Sequence, residues 1–265
     1  MQRAGLIIAA LIAAAPALAA GNVEPDRVER WNDLTALIFG DDAKIAPTDS
    51  AVTIEAPKRA LDSSLVPVTI EAAADVAGVS LVVDENPGPV AAQVRFGPAG
   101  DPRRLGLRVR VDGYTNMHAV ATLPDGAMVE NAVFVKGAGG CSAPIGVSDA
   151  EAMANMGEMR LKYEDGALEG AGKATLMVRH PNFNGMQMNQ LTRLYTPPRY
   201  VTDIEVTRGD DLVFAMTSDI SLATDPVIDF LYRTGSDAPF TVSVTDSTGQ
   251  HWSQDFAPPA PTVTN

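Results

Sequence analysis

The stretch LGLRVRVDGYTNMHAVATLPDGAMVENAVFVK, residues 105–136, carries the pattern on which the fold turns. Leu105, Leu107, Val109 and Val111 alternate with Gly106, Arg108 and Arg110, the period of a half-buried strand. Asp112-Gly113 then turns, and residues 115–123 read as a second strand. Pro124-Asp125-Gly126 supplies hairpin turn chemistry, and residues 131–136 return as a third. Toward the N-terminus the same pattern recurs at 52–55, 65–70, 79–83 and 92–96. Asn86-Pro87-Gly88-Pro89 and Gly97-Pro98 punctuate it. About seven short strands with Gly, Pro and Asp turns predict an immunoglobulin-like sandwich.

Beyond residue 136 the strand pattern lapses. Gly137-Ala138-Gly139-Gly140 opens a stretch of small and acidic residues with room for a short helical turn at 149–154. A second strand series follows at 157–162, 172–180, 200–206, 212–216, 228–232 and 240–244. Asp246-Ser247-Thr248-Gly249 turns it into 250–252. A second sandwich of about 100 residues fits this series. The fold class expected is mainly β: two immunoglobulin-like β-sandwich domains in tandem, each with its own apolar core.

The N-terminus has a different character. Arg3 precedes an apolar run from Leu6 to Ala15, closed by Pro16-Ala17-Leu18-Ala19-Ala20. That order is the layout of a secretory signal peptide, too short to span a bilayer, with cleavage after Ala19 or Ala20. A short helix then runs to Phe39, with Val28, Trp31, Leu34, Leu37 and Ile38 as its apolar stripe. The expected organisation is a signal peptide (1–20), a first domain (21–141), a linker (142–156), a second domain (157–257) and a flexible Pro-rich tail (258–265). The mature chain is expected in the periplasm, with no membrane insertion after signal cleavage. A formal charge of −13 argues against nucleic acid or an anionic membrane as partner.

Catalytic motifs are scarce. His118, His180 and His251 are far apart in sequence, and no metalloprotease, hydrolase, phosphate-loop or dinucleotide signature occurs. His118 reads as a surface or edge residue, and His180, before Pro181, as extended backbone at a strand end. Ten methionines raise the question of copper, but no histidine follows Cys141 until His180, too far for a blue-copper site. Neither a metal nor a cofactor is expected. The informative feature is the sole cysteine, Cys141, behind Gly137, Gly139 and Gly140. Three glycines make a slender, flexible arm, so Cys141 reads as an exposed, functional thiol that enters a pocket on another protein.

Two regions of the chain resemble a fused SoxY–SoxZ carrier, of the SoxYZ-like kind associated with quinoprotein dehydrogenases. One comprises Tyr114–Ala121, Val133–Lys136 and Gly139-Gly140-Cys141-Ser142-Ala143-Pro144. The other comprises Val178–Gly185, Pro198–Val201 and Phe240–Gly249. The resemblance implies that Cys141 is the covalent attachment site for sulfur intermediates, with Gly137, Gly139 and Gly140 as its flexible stem. It also implies that partner enzymes load, oxidise and hydrolyse the cargo, in thiosulfate oxidation or a related process. The chain is then a substrate-presenting subunit and not itself an enzyme. Its expected partners are periplasmic sulfur-oxidation enzymes or a quinoprotein dehydrogenase system. A non-covalent accessory role beside such a dehydrogenase is the alternative.

Overall fold

The computed structural model describes residues 22–164, 168–190 and 192–259. The expected signal peptide and residues 260–265 of the tail lie outside them. Helix α1 (Pro25–Phe39) comes first, with Pro25 starting it and Gly40, at φ +101°, ending it. Eight strands follow: β1 (Ile45–Pro47), β2 (Val52–Glu55), β3 (Val66–Ala72), β4 (Gly78–Val83), β5 (Val90–Phe96), β6 (Gly100–Val109), β7 (Thr115–Thr122) and β8 (Met128–Val135). The one-turn helix α2 (Asp149–Ala152) sits in the connection. Its N-terminus is closed by a reciprocal Ser148/Glu151 capping box. The second half supplies β9 (Met159–Glu164), β10 (Ala171–Val178), β11 (Val201–Arg208), β12 (Asp211–Ser218), β13 (Val227–Arg233), β14 (Phe240–Asp246) and β15 (His251–Phe256).

Alternation places the apolar side chains inward. Phe240, Val242 and Val244 of β14 are buried, while Thr241, Ser243 and Thr245 are only partly so. Burying each such Val or Phe contributes about 1.5–3 kcal/mol. Strand β1, absent from the sequence-based reading, is three residues long and pairs in parallel with β8. So short an edge strand leaves no periodic signal.

The two sandwiches are not separate bodies. Among the described residues the strands form two sheets. One has nine strands in the order β1-β8-β7-β4-β5-β12-β11-β14-β15; the other has six, in the order β2-β3-β6-β13-β10-β9. Each sheet therefore crosses from the first half to the second. The seams are antiparallel: Phe96 opposite Phe214 through Ala92 opposite Ser218, and Gly106 opposite Asp229 through Gly100 opposite Tyr232. The physical reason is that β5 and β6 would otherwise present unpaired backbone edges. In place of the two cores expected, one contiguous cluster runs from Val52 and Val79 to Phe230 and Val244.

Helix α1 also departs from expectation. Of its apolar stripe only Leu34 is fully buried, and Val28 and Leu37 stay exposed. Polar contacts tie it to the sheet instead. Arg30 donates to the Asp84 carbonyl at 3.0 and 3.1 Å, Arg27 to the Tyr114 carbonyl at 2.8 Å, and Trp31 Nε1 to Glu130 at 3.1 Å.

Candidate functional site

Strand β8 ends at Val135, and the glycine-rich segment leaves it along a groove of backbone. The Ala138 N–H donates to Ser63 Oγ (3.0 Å), the Gly139 N–H to the Asp112 carbonyl (2.9 Å) and the Gly140 N–H to the Val111 carbonyl (2.9 Å). Gly139 takes a left-handed φ of +68°. A Cβ on Gly140 would stand 1.9 Å from the Ser63 carbonyl oxygen and 2.7 Å from that of Val111. Glycine is required there by close backbone approach, not by mobility. The arm expected to be flexible is docked in this structure.

Cys141 follows, and it is buried, contrary to the expectation of an exposed thiol. Its carbonyl accepts from Asn184 Nδ2 at 2.6 Å, which anchors the arm to the second half. Burial pushes the thiol up to about 12; Asp112 adds to this and Arg110 opposes it. At neutral pH the docked sulfur is therefore a protonated, weakly nucleophilic thiol. Gly140→Val should eject the arm from its seat. The expected outcome is at least a tenfold rise in native thiol labelling by a neutral reagent. The melting temperature should fall only modestly, because the segment lies outside both sheets and no ladder hydrogen bond is lost. An unchanged labelling rate would contradict this account.

Residues far apart in sequence build the seat. Asn86 Nδ2 donates to the Arg110 carbonyl (2.7 Å) and to Ser221 Oγ (2.8 Å), while Asn86 Oδ1 accepts from the Asp112 N–H (2.9 Å). Arg110 is buried beneath it, and burial lowers its guanidinium to about 10. From the second half, Asn182 Oδ1 accepts from the Val201 N–H (3.0 Å), and Asn182 Nδ2 donates to the Ala223 carbonyl (2.9 Å). The segment 182–184 is thus brought against the arm. A cavity of about 530 Å³ opens beside it, between residues 144–151 and 183–196. Sequence reading assigns none of Ser63, Asn86, Arg110 or Asn184 to the site, although Asn184 lies in the Val178–Gly185 segment that carries the resemblance. Arg110 occupies the same parity as exposed Arg108 in an alternating run, so periodicity marks it as a solvent residue.

Of the histidines, His180 borders the seat through Asn182, and His118 stands apart from it. His180 does follow a strand end, β10, and is fully buried with Nδ1 2.7 Å from Asn182 Oδ1. Burial lowers its pKa, and its Nε2 lies 3.6 Å from Asp246 Oδ2, which Arg199 Nε already binds at 2.7 Å. His118 is not the surface residue expected. It lies within β7, buried, with Nδ1 2.5 Å from Glu130 Oε2 and Nε2 3.3 Å from Asp84 Oδ2. Trp31 of α1 stacks on its ring at 3.7 Å between centroids. Burial pulls its pKa down, but Asp84 and Glu130 outweigh this and raise it to about 9. Among the described residues, no three His, Cys, Asp or Glu side chains are placed to hold a metal ion.

Comparison with known proteins bears on both halves. Residues 36–141 match the family described as sulfur oxidation protein SoxY, and residues 160–257 match sulphur oxidation protein SoxZ. Among solved structures, the sulfur carrier protein SoxY from Chlorobium limicola f thiosulfatophilum is 24% identical, covering 42% of this chain and 94% of its own, at a TM-score of 0.35. A superoxide reductase (neelaredoxin) from Ignicoccus hospitalis is 15% identical over 42% of this chain and 90% of its own, with a TM-score of 0.30. A β-glycosidase from Bacteroides vulgatus is 8% identical over 80% of this chain and 25% of its own, with a TM-score of 0.25. No curated protein matches by sequence. Both family matches fall on one polypeptide, and the SoxY match ends on the cysteine of the docked arm. The chain belongs to the fused SoxYZ-like proteins, with a SoxY domain and a SoxZ domain on one polypeptide.

Proposed function

We propose that this chain is a periplasmic carrier that holds a sulfur-containing intermediate covalently on Cys141 and presents it to partner oxidising and hydrolysing enzymes. The observation that carries this reading is the position of the sole cysteine. It ends a glycine-rich arm seated on backbone of the first half and fastened by Asn184 of the second. Such a thiol has few ties to break. The Gly139 and Gly140 N–H bonds, the Ala138–Ser63 bond and the Asn184 contact hold the segment, and none belongs to a sheet ladder.

The docked state is the resting state in this reading. A partner draws the arm out of its seat, and the thiol regains an ordinary pKa and becomes a nucleophile. For a thiosulfate cargo, loading joins the Cys141 sulfur to the terminal sulfur of thiosulfate. It releases one proton and two electrons, which the partner oxidising enzyme accepts. Hydrolysis of the bound sulfonate then consumes one water, releases hydrogen sulfate and leaves a persulfide on Cys141, with no net electron transfer. The chain itself supplies attachment and presentation.

Intact-mass spectrometry of the protein taken from its native host tests the proposal. During growth on reduced sulfur, a fraction of molecules should carry sulfur or sulfonate adducts that map to Cys141 and disappear on reduction. A single unmodified mass under those conditions would reject the carrier role and leave the non-covalent accessory role beside a quinoprotein dehydrogenase.

A further inference from the structure

Arg110 is a buried cation without an anion. The residue is 1% exposed. Nη1 donates to the carbonyls of Ile220 (3.1 Å) and Leu222 (2.6 Å), and Nη2 to Thr224 Oγ1 (2.9 Å). All three acceptors are neutral. Among the described residues Arg27, Arg103, Arg104, Arg179 and Arg199 are paired with carboxylates. Arg110 is not, and the other buried arginine without a carboxylate, Arg208, lies over the Tyr232 and Phe240 rings, which Arg110 lacks. A buried charge left uncompensated is strongly disfavoured, so a fold that keeps one has a use for it or a partner to come. Two donors are also unspent. Nε and one hydrogen of Nη2 have no acceptor among the described residues. Nε and Nη2 form one edge of the guanidinium fork, the edge that matches two oxygens of an oxyanion.

The arm leads to this cation. Gly140 donates to the carbonyl of Val111, the next residue along, and Cys141 follows it on the arm, near enough for an ionised group on its sulfur to act on the guanidinium. The other charged neighbour of the thiol is Asp112, which is partly exposed and so partly screened by water. A reduced thiol is neutral and gives Arg110 nothing.

We infer that Arg110 is the counter-ion of an anionic group borne on Cys141, so that the seat of the arm is electrostatically complete when the sulfur carries a sulfonate-type oxyanion. This rests on the carrier reading and deepens it. Arg110 is a positioning and selectivity residue that favours redocking of a negatively charged cargo over a neutral or positive one.

Because Cys141 is the sole cysteine, alkyl methanethiosulfonates load it and nothing else. The thiolate attacks the sulfenyl sulfur, a disulfide forms and methanesulfinate leaves. The mature full-length protein is treated with the 2-sulfonatoethyl reagent and, separately, with the near-isosteric 2-(trimethylammonio)ethyl reagent. The anion-to-cation ratio of modification rates should fall at least tenfold in Arg110→Met and stay near wild type in Arg110→Lys. In the wild type, the sulfonatoethyl adduct should melt higher than the trimethylammonioethyl adduct, against the chain's overall negative charge. This second measurement decides the matter if Arg110→Met does not fold. Equal rate ratios in wild type and Arg110→Met, or a cationic adduct that melts as high as the anionic one, would overturn the role of Arg110. Either result leaves the carrier reading standing, which the native adduct mass decides separately.

Discussion

Cys141→Ser is expected to abolish cargo loading completely while the two sheets stay intact. A serine hydroxyl is a far weaker nucleophile than a thiolate at neutral pH, and no second cysteine can substitute. The stability cost is not that of a surface change. Cys141 is buried, and a hydroxyl in its place without a hydrogen-bond acceptor costs about 1–2 kcal/mol. Circular dichroism and a melting curve should therefore report a folded protein with a modestly lower melting temperature. Adduct mass and complementation of the host should both be lost. Full complementation by the serine variant would refute covalent carriage.

The largest effect on stability is expected at His118. Its imidazolium lies between Asp84 and Glu130 under the indole of Trp31, and removing it leaves two buried or half-buried carboxylates facing each other. His118→Ala should cost about 3–5 kcal/mol at pH 6, the range for breaking a buried ion pair from one side. The pH dependence has a definite sign. The folded pKa, about 9, lies above the ordinary 6.5, so the folded state binds the proton more tightly. That contribution, about 3 kcal/mol, is fully present below pH 6.5 and is lost as pH rises through 9. Urea titrations of wild type and His118→Ala at pH 6 and pH 10 should show the gap between the two narrowing at the higher pH. A gap that widens would refute the clamped imidazolium.

The strand pattern was legible because alternation reports directly which side chains face a core. Residues 240–244 read the same way in sequence and in space. The joining of the halves was not legible, because β5 and β12 carry nothing in their alternation that names a partner edge. Cys141 was found as the candidate thiol but misjudged in exposure. A glycine needed for freedom and a glycine needed for close approach look alike in sequence, and Gly140 is of the second kind. His118 was misread for a related reason. β7 is buried on both faces over Thr115–Ala121, and on the side that alternation would assign to water Trp31 of α1 lies over His118. The acids that neutralise His118 come from β8 and from the end of β4, so no local spacing announces them. Arg110 escaped notice in the same way.

The shared seams also govern how the chain comes into being. During synthesis β5 and β6 are complete long before the ribosome reaches β12 and β13, the strands that pair with them. Until then the first half holds two bare edges, each a template for pairing with another nascent chain. Closing contacts so distant in sequence is slow. The polypeptide therefore passes through an aggregation-exposed interval that ends when β12 and β13 are available, and its yield is set by whatever shields those edges in the meantime.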